Sequence, residues 1–232
     1  TSAQNLGQFN YAIGQYALAN ATNTAVTGNF AAGQNALAGS PTAQNIGSSN
    51  VAIGPNALQN NISGSSNNAL GNGTLQTNTT GSTNNAIGQS ALFSNTTGSN
   101  NNAFGQQALV SNSTGSGGIA IGFNAVRSNT TGTNNIGIGY QSGYNISTGY
   151  SNLLLGDNTQ NTGGITTGHG NVGLGPNVFF PNVAGNSQLN IGNLLFGTLP
   201  ATTTTFKLPT TGSIGVGTSS PFAKFSIQNN NG

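Results

Sequence analysis

Apolar residues return in a fixed phase along most of this chain. The phrase Asn-x-Ala-Ile-Gly-x-x-Ala-Leu, complete over residues 84–92, recurs with its glycine at twelve positions, and six consecutive intervals between those glycines are 17 residues. A period this regular predicts a repeat architecture in which each unit contacts its neighbours. The motif glycines are Gly14, Gly33, Gly54, Gly71, Gly88, Gly105, Gly122, Gly139, Gly156, Gly175, Gly192 and Gly217.

The length of the unit limits what one repeat can contain. Seventeen residues are too few for a strand, a helix and both connections, which together take about 20 residues or more. They fit two strands of about five residues joined by tight turns. Strands of successive coils would pair about 4.8 Å apart. The period therefore predicts an all-β parallel β-solenoid of at most twelve coils, with about 17 residues per coil.

A second glycine recurs seven residues before most motif glycines, within turns such as Thr96-Thr97-Gly98-Ser99. We expect this turn glycine to supply a positive φ without steric cost. Gly33 and Gly217 lack a turn glycine at this offset, which predicts irregular first coils and an irregular last one. The repeat array is assigned to residues 1–197, with the strict period over about 47–156.

Each motif strand has two apolar faces. Adjacent strand residues point to opposite sides, so large side chains occupy one side and alanines the other. A narrow coil has one interior, so the second side needs cover from outside. Because small residues permit close approach of another backbone, we predict that the alanine column contacts another copy of the chain; the alternative is that exposed alanines are simply tolerated. The core and interface residues are Ala52, Ile53, Ala86, Ile87, Ala103, Phe104, Ala120 and Ile121.

Composition narrows the function. Charged residues make up 2% of the chain, which excludes electrostatic binding of nucleic acid or of anionic membranes. Gly, Ser, Thr and Asn also occur in disordered chains, but disorder does not require phase-locked apolar positions. No apolar run approaches the length of a membrane span, so no direct membrane insertion is expected in this segment. The chain starts at Thr1 without a visible signal peptide, and we expect it to be a portion of a longer product.

Three copies of the motif resemble a known family. Asn50-Val51-Ala52-Ile53-Gly54, Asn85-Ala86-Ile87-Gly88 and Ile119-Ala120-Ile121-Gly122 resemble the head repeats of trimeric autotransporter adhesins of the Yersinia adhesin type, over about residues 5–197. The resemblance implies a left-handed parallel β-roll, a homotrimer around one axis and a place on the bacterial surface. The family's repeat is usually a few residues shorter, and similar repeats occur in phage tail fibres and large surface proteins.

The last residues depart from the period. The interval from Gly192 to Gly217 is 25 residues, and three prolines interrupt any ladder of strand hydrogen bonds. We predict that residues 198–232 form an adaptor that caps the roll or crosses to a neighbouring chain. Its prolines are Pro200, Pro209 and Pro221, and its expected anchors are Phe206, Phe222 and Phe225.

Catalytic chemistry is scarce. Asp157 is the only acid and His169 the only histidine, so no carboxylate pair exists within a chain, and no G-x-S-x-G elbow is present. We therefore predict no catalytic residues, no enzymatic activity and no cofactor. Residues 168–173 match G-x-G-x-x-G but lie in phase with the repeat, which favours a structural role. In a trimer three copies of His169 could bind a metal if they faced the axis, but an exposed turn is favoured, so no metal site is assigned.

Asn-x-Ser/Thr sequons recur every seventeen residues, and three others stand at Asn20, Asn72 and Asn145. On exposed turns such asparagines would be candidate glycosylation acceptors. The favoured interpretation is that Asn and Thr form the turns. The periodic candidates are Asn61, Asn78, Asn95, Asn112 and Asn129.

These observations predict a non-enzymatic extracellular structural fibre or adhesin segment that mediates surface attachment or projection. Its expected partners are other copies of the chain, as a homotrimer, and a glycan or protein receptor on a surface. The alternatives are the shaft of a viral (phage) tail or receptor-binding fibre, a subunit of a polymerising extracellular filament, and an ice-binding solenoid. The last is disfavoured because a regular T-x-T ladder is missing. In every case the expected location is extracellular, at a cell or virion surface.

Overall fold

The computed structural model describes residues 9–20, 26–39, 47–159, 165–198, 213–216 and 225–227. Over these residues the fold is all-β, without helix, and its repeated part is a parallel β-solenoid, as predicted. The strands are β1 (Tyr11–Ile13), β2 (Phe30–Ala32), β3 (Val51–Ile53), β4 (Asn68–Leu70), β5 (Asn85–Ile87), β6 (Asn102–Phe104), β7 (Ile119–Ile121), β8 (Ile136–Ile138), β9 (Leu153–Leu155), β10 (Val172–Leu174), β11 (Gln188–Ile191), β12 (Leu195–Thr198), β13 (Ser213–Val216) and β14 (Phe225–Ile227).

The first eleven strands pair in chain order and in parallel, one strand for each coil. Ala86 of β5 stands opposite Ala69 of β4 and Ala103 of β6, so the same motif position forms one column along the roll. The motif glycines stack as well, because the strand of each coil ends on one. One period of the sequence therefore corresponds to one coil of the roll.

The prediction of two strands of about five residues in each coil is wrong. Each coil of β1–β10 has a single strand of three residues. The residues that follow each motif glycine, such as 89–94, run back across the coil; we call them the return segment, and they do not form a strand. Its residues alternate into the left-handed region, with φ of 57° at Ser90 and 52° at Leu92. The return segment still joins the coils, since the N–H of Leu92 donates to the carbonyl of Ala108 at 3.0 Å. Left-handed residues turn the chain too sharply for a pleated strand.

The assignment of the two strand faces is also wrong. The alanine column, including Ala52, Ala86, Ala103 and Ala120, lies inside the coil with no exposed surface. The neighbouring large side chains point outward, and Ile87 and Phe104 are exposed. The interior is thin, and the second motif pair, such as Ala91 and Leu92, already fills it from the return segment. Over β2–β7 only a methyl group then fits on the strand side, and the larger Leu154 of β9 fits between Gly137 and Gly173, so the column that needs cover is the one of large third residues.

The prediction that the turn glycines supply positive φ is wrong. Gly81 and Gly98 do not have positive φ, and neither do the other described glycines at this offset. A Cβ at Gly98 would collide with the carbonyl oxygen of Gly115 and would lie 2.5 Å from Oδ1 of Asn95. Glycine is therefore required by the close approach of the coils. Positive φ belongs instead to the motif glycines, such as Gly88 at 123°.

A ladder of buried asparagines runs beside the alanine column, four residues before most motif glycines; Gly118 and Gln188 occupy this position in two coils. The Nδ2 of Asn84 donates to the carbonyl of Gly98 at 2.9 Å, and its Oδ1 accepts from the backbone N–H of Asn101 at 3.0 Å. Each rung thereby fastens its own coil to the next one. The buried rungs are Asn29, Asn50, Asn67, Asn84, Asn101, Asn135, Asn152 and Asn171.

The regular coils end at β11. There the sheet continues through β12 in antiparallel pairing, then β13 antiparallel and β14 in parallel to β13. Ile191 is therefore the last strand residue in the coil-to-coil pattern. The predicted anchors Phe206 and Phe222 and the prolines of the adaptor lie outside the described residues, as does Gly217. The third anchor, Phe225, is the first residue of β14.

Candidate functional site

One side of the long sheet points away from the interior of the coils. We call it the outward face: the first and third residues of β1–β10, with Leu189 and Ile191 of β11. The column of third residues is apolar at every rung, and Ile87 and Ile121 retain 42% and 39% of their surface exposed. Single exposed apolar residues are ordinary, but an apolar column of this length, exposed or half-buried at every rung, is a candidate interaction surface.

The outward face is uncharged and long. No residue in strands β1–β11 is charged. Eleven strands at about 4.8 Å spacing extend about 50 Å, and three residues span about 10 Å, so the face offers about 500 Å². Two such faces in contact would bury about 1,000 Å², the lower bound for a specific interface.

Three asparagines interrupt the column of first residues. The Nδ2 of Asn68 donates to Oδ1 of Asn85 at 2.7 Å, and that of Asn85 donates to Oδ1 of Asn102 at 2.8 Å. We call Asn68, Asn85 and Asn102 the amide band. The same column is apolar before it, at Val51, and after it, at Ile119.

Aromatic pairs lie at the borders of the sheet. Directly after the motif glycines, the rings of Phe123 and Tyr140 stack at 5.4 Å between centroids. Oδ1 of Asp157, one coil further, accepts from the backbone N–H of Tyr140 at 3.0 Å. On the return segment, the guanidinium of Arg127 lies over the ring of Tyr144, 5.5 Å from its centroid. These residues break the repeat, and each contact covers one face of the rings that it joins.

The structure places His169 in a stack and not in a cluster of ligands. Its ring lies 4.4 Å from that of Tyr150, with 16° between the planes. Among the described residues no three His, Cys, Asp or Glu side chains come together in a way that would hold a metal ion. The G-x-G-x-x-G match at residues 168–173 runs through a turn and ends inside β10, so a strand stands where a dinucleotide site has a helix.

The periodic sequon asparagines contradict the suggestion of accessible acceptors. Asn61, Asn78, Asn95, Asn112 and Asn129 are at most 2% exposed and form a second interior ladder. The Nδ2 of Asn95 donates to Oδ1 of Asn78 at 2.8 Å and to the carbonyl of Gly98 at 3.0 Å. A glycan attached to this nitrogen would have no path to solvent in the folded coil.

The threonine pairs of the turns divide into two roles. Thr79 and Thr96 donate their hydroxyls to carbonyls of the next coil at 2.9 and 3.0 Å. The second threonine of each pair, such as Thr97 or Thr131, is exposed. Such a coil thus presents one threonine to solvent. Successive threonines form a single exposed column, whereas a T-x-T ladder has two.

Comparison with known protein families, with curated proteins and with solved structures found no match to this chain. In the described part of the chain, no helix has the length and apolar character to cross a bilayer.

Sequence reasoning missed the interior amides. Both ladders have a signal in the sequence, because Asn recurs four residues before and seven residues after successive motif glycines. The signal was assigned to turns, where asparagine is common. Among the buried side-chain polar atoms that the structure describes, only Oδ1 of Asn124 lacks a partner, so the amides are structural elements of the interior.

Proposed function

We propose that this chain is a segment of a non-enzymatic extracellular fibre whose copies associate through their outward faces. The observation that carries the proposal is the continuous apolar column of the outward face, uncharged over eleven strands. A second copy of the same chain fits it best, because identical uncharged faces bring no electrostatic repulsion and match in length.

The number of copies and the handedness follow from the resemblance of the motif to adhesin head repeats. We propose a homotrimer of left-handed β-rolls, with three outward faces around one axis. The exposed threonine column, which lies away from the outward face, would then face solvent in three copies. Such a shaft suits projection from a cell or virion surface.

Attachment would come from many weak contacts. Each coil repeats nearly the same exterior, so a surface glycan or protein receptor could be engaged at several coils at once. The described exterior offers hydroxyls and amides with little charge, so we expect binding to change little with ionic strength. A dissociated single copy would make fewer simultaneous contacts with the receptor, so its attachment would be much weaker.

A pair of aspartates on the outward face tests the self-association. Ile87→Asp with Ile121→Asp places two charges in the proposed interface, two coils apart, where they would lose their hydration on assembly. The expected result is a chain that keeps its strand circular dichroism but sediments at the mass of a single copy.

The matched control is Thr97→Asp with Thr131→Asp, which has the same separation on the exposed threonine column. This control should retain the mass of the parent. If the isoleucine double variant also retained it, or if the parent itself were a single copy, the proposal would be wrong. Electron microscopy of the parent adds a second readout, since continuous filaments in place of short rods would indicate polymerisation.

A further inference from the structure

The outward face is not uniform along its length. Its column of first residues has eleven rungs, and the three rungs of the amide band are consecutive. Three apolar rungs precede the band and five follow it, so it lies off the centre of the column. The column of third residues carries no polar rung, and so cannot distinguish one alignment of two faces from another.

The amides of the band retain hydrogen-bonding capacity toward a partner. Each Nδ2 of Asn68 and Asn85 uses one of its two protons along the band. The remaining groups point away from the coil, because the band lies on the outward face. Water satisfies them in a single copy, but an apolar side chain packed over them would not.

We infer that the amide band aligns the copies of this chain in parallel and without axial shift, so that amides meet amides. The inference rests on the proposed association of outward faces. A shift by one coil would place an asparagine at one end of the band against Val51 and one at the other end against Ile119. Reversing one copy end for end would leave only Asn102 opposite an amide, with Asn68 against Ile136 and Asn85 against Ile119.

This role resembles that of a single polar position in a coiled coil, where a buried amide costs stability and fixes the register. The β-roll needs such a position, because near-identical coils offer near-identical packing at every shift of one period. The interior ladders cannot supply it, since they are closed to a neighbouring chain. The band therefore sets which coil of one copy lies beside which coil of the next.

The experiment measures alignment separately from assembly. The chain has no cysteine, so Thr97→Cys or Thr148→Cys carries a unique spin label on the exposed threonine column. In the parent assembly pulsed EPR should give one narrow distance, the same at both sites. In Asn68→Val with Asn85→Val and Asn102→Val, the mass of the assembly should be unchanged, and the distances should spread into several populations separated by coil steps of about 4.8 Å along the axis.

The control variant is Thr80→Val with Thr114→Val and Thr131→Val, which changes three polar residues away from the outward face and should keep the narrow distance. A triple asparagine variant that keeps the single narrow distance overturns the inference, and so does a parent assembly with several distances. A parent that is a single copy overturns the proposed function as well. If the triple asparagine variant does not fold, Asn85→Val alone is measured in the same way, and an unaltered narrow distance again counts against the band.

Discussion

Gly88→Ala is expected to lower the free energy of unfolding by about 4 kcal/mol, from backbone strain and overpacking together. The added Cβ would lie 2.7 Å from both the carbonyl carbon and the oxygen of Gly105, in the coil stacked above it. Its φ of 123° is also strained for any residue with a side chain. Neither coil can move aside, because the hydrogen bonds between coils fix their separation. Urea denaturation followed by circular dichroism measures the loss.

The same motif position provides the control. Gly192 ends the last regular coil, has φ of 59° and has no atom within 4 Å of an added Cβ. Gly192→Ala should therefore cost only about 1 kcal/mol, the penalty for a left-handed residue. Equal losses at the two glycines would show that the stacking of coils does not require glycine.

Asn95→Ala is expected to cost about 3 kcal/mol, from an unsatisfied buried amide group and a small cavity. Asn95 is fully buried. The carbonyl of Gly98 would keep the Nδ2 of Asn84 as a donor, but removal of the Asn95 amide would leave Oδ1 of Asn78 without its donor and Nδ2 of Asn112 without one of its acceptors. Water cannot reach either group inside the coil. The midpoint of urea unfolding should fall accordingly.

Asn85→Ala is the matched control, because Asn85 makes the same amide-to-amide contact on the outward face. Its Nδ2 donates to Asn102 at 2.8 Å, but Asn85 is only half-buried and water replaces the lost partner. Its cost should remain below about 1 kcal/mol in the single copy. If Asn85→Ala destabilised the chain as much as Asn95→Ala, burial would not be the source of the ladder's contribution.

The class of fold could be predicted from the period alone. Stacked coils require residue spacing to repeat, so the sequence alone places Gly71, Gly88 and Gly105 in one column. The motif strand could be located for the same reason, since Ala86 and Ile87 precede a glycine in each copy. The side chains that fill the interior of the coil were harder to predict. The alternation of side chains along a strand defines two faces, but it does not show which face lies inside.

What decided the faces is a property of the return segment. Leu92 is buried although its φ is 52°, a conformation that leucine rarely adopts. A sequence pattern contains no signal for such a residue, so the return segment was expected to be a strand, with the large strand residues directed inward. The buried asparagines were missed for a related reason: a polar residue that recurs with the period is as consistent with an exposed turn as with an interior ladder.

The direction of the hydrogen bonds between coils has a mechanical consequence. These bonds, such as Leu92 N–H to Ala108, join one coil to the next along the axis, so tension between the ends of the roll loads them one coil at a time. Each coil that opens releases 17 residues, about 60 Å of extended chain in place of a rise of about 4.8 Å. Pulling on a single molecule should therefore give a saw-tooth trace with steps of about 55 Å, and a shaft built this way would lengthen under load before it broke.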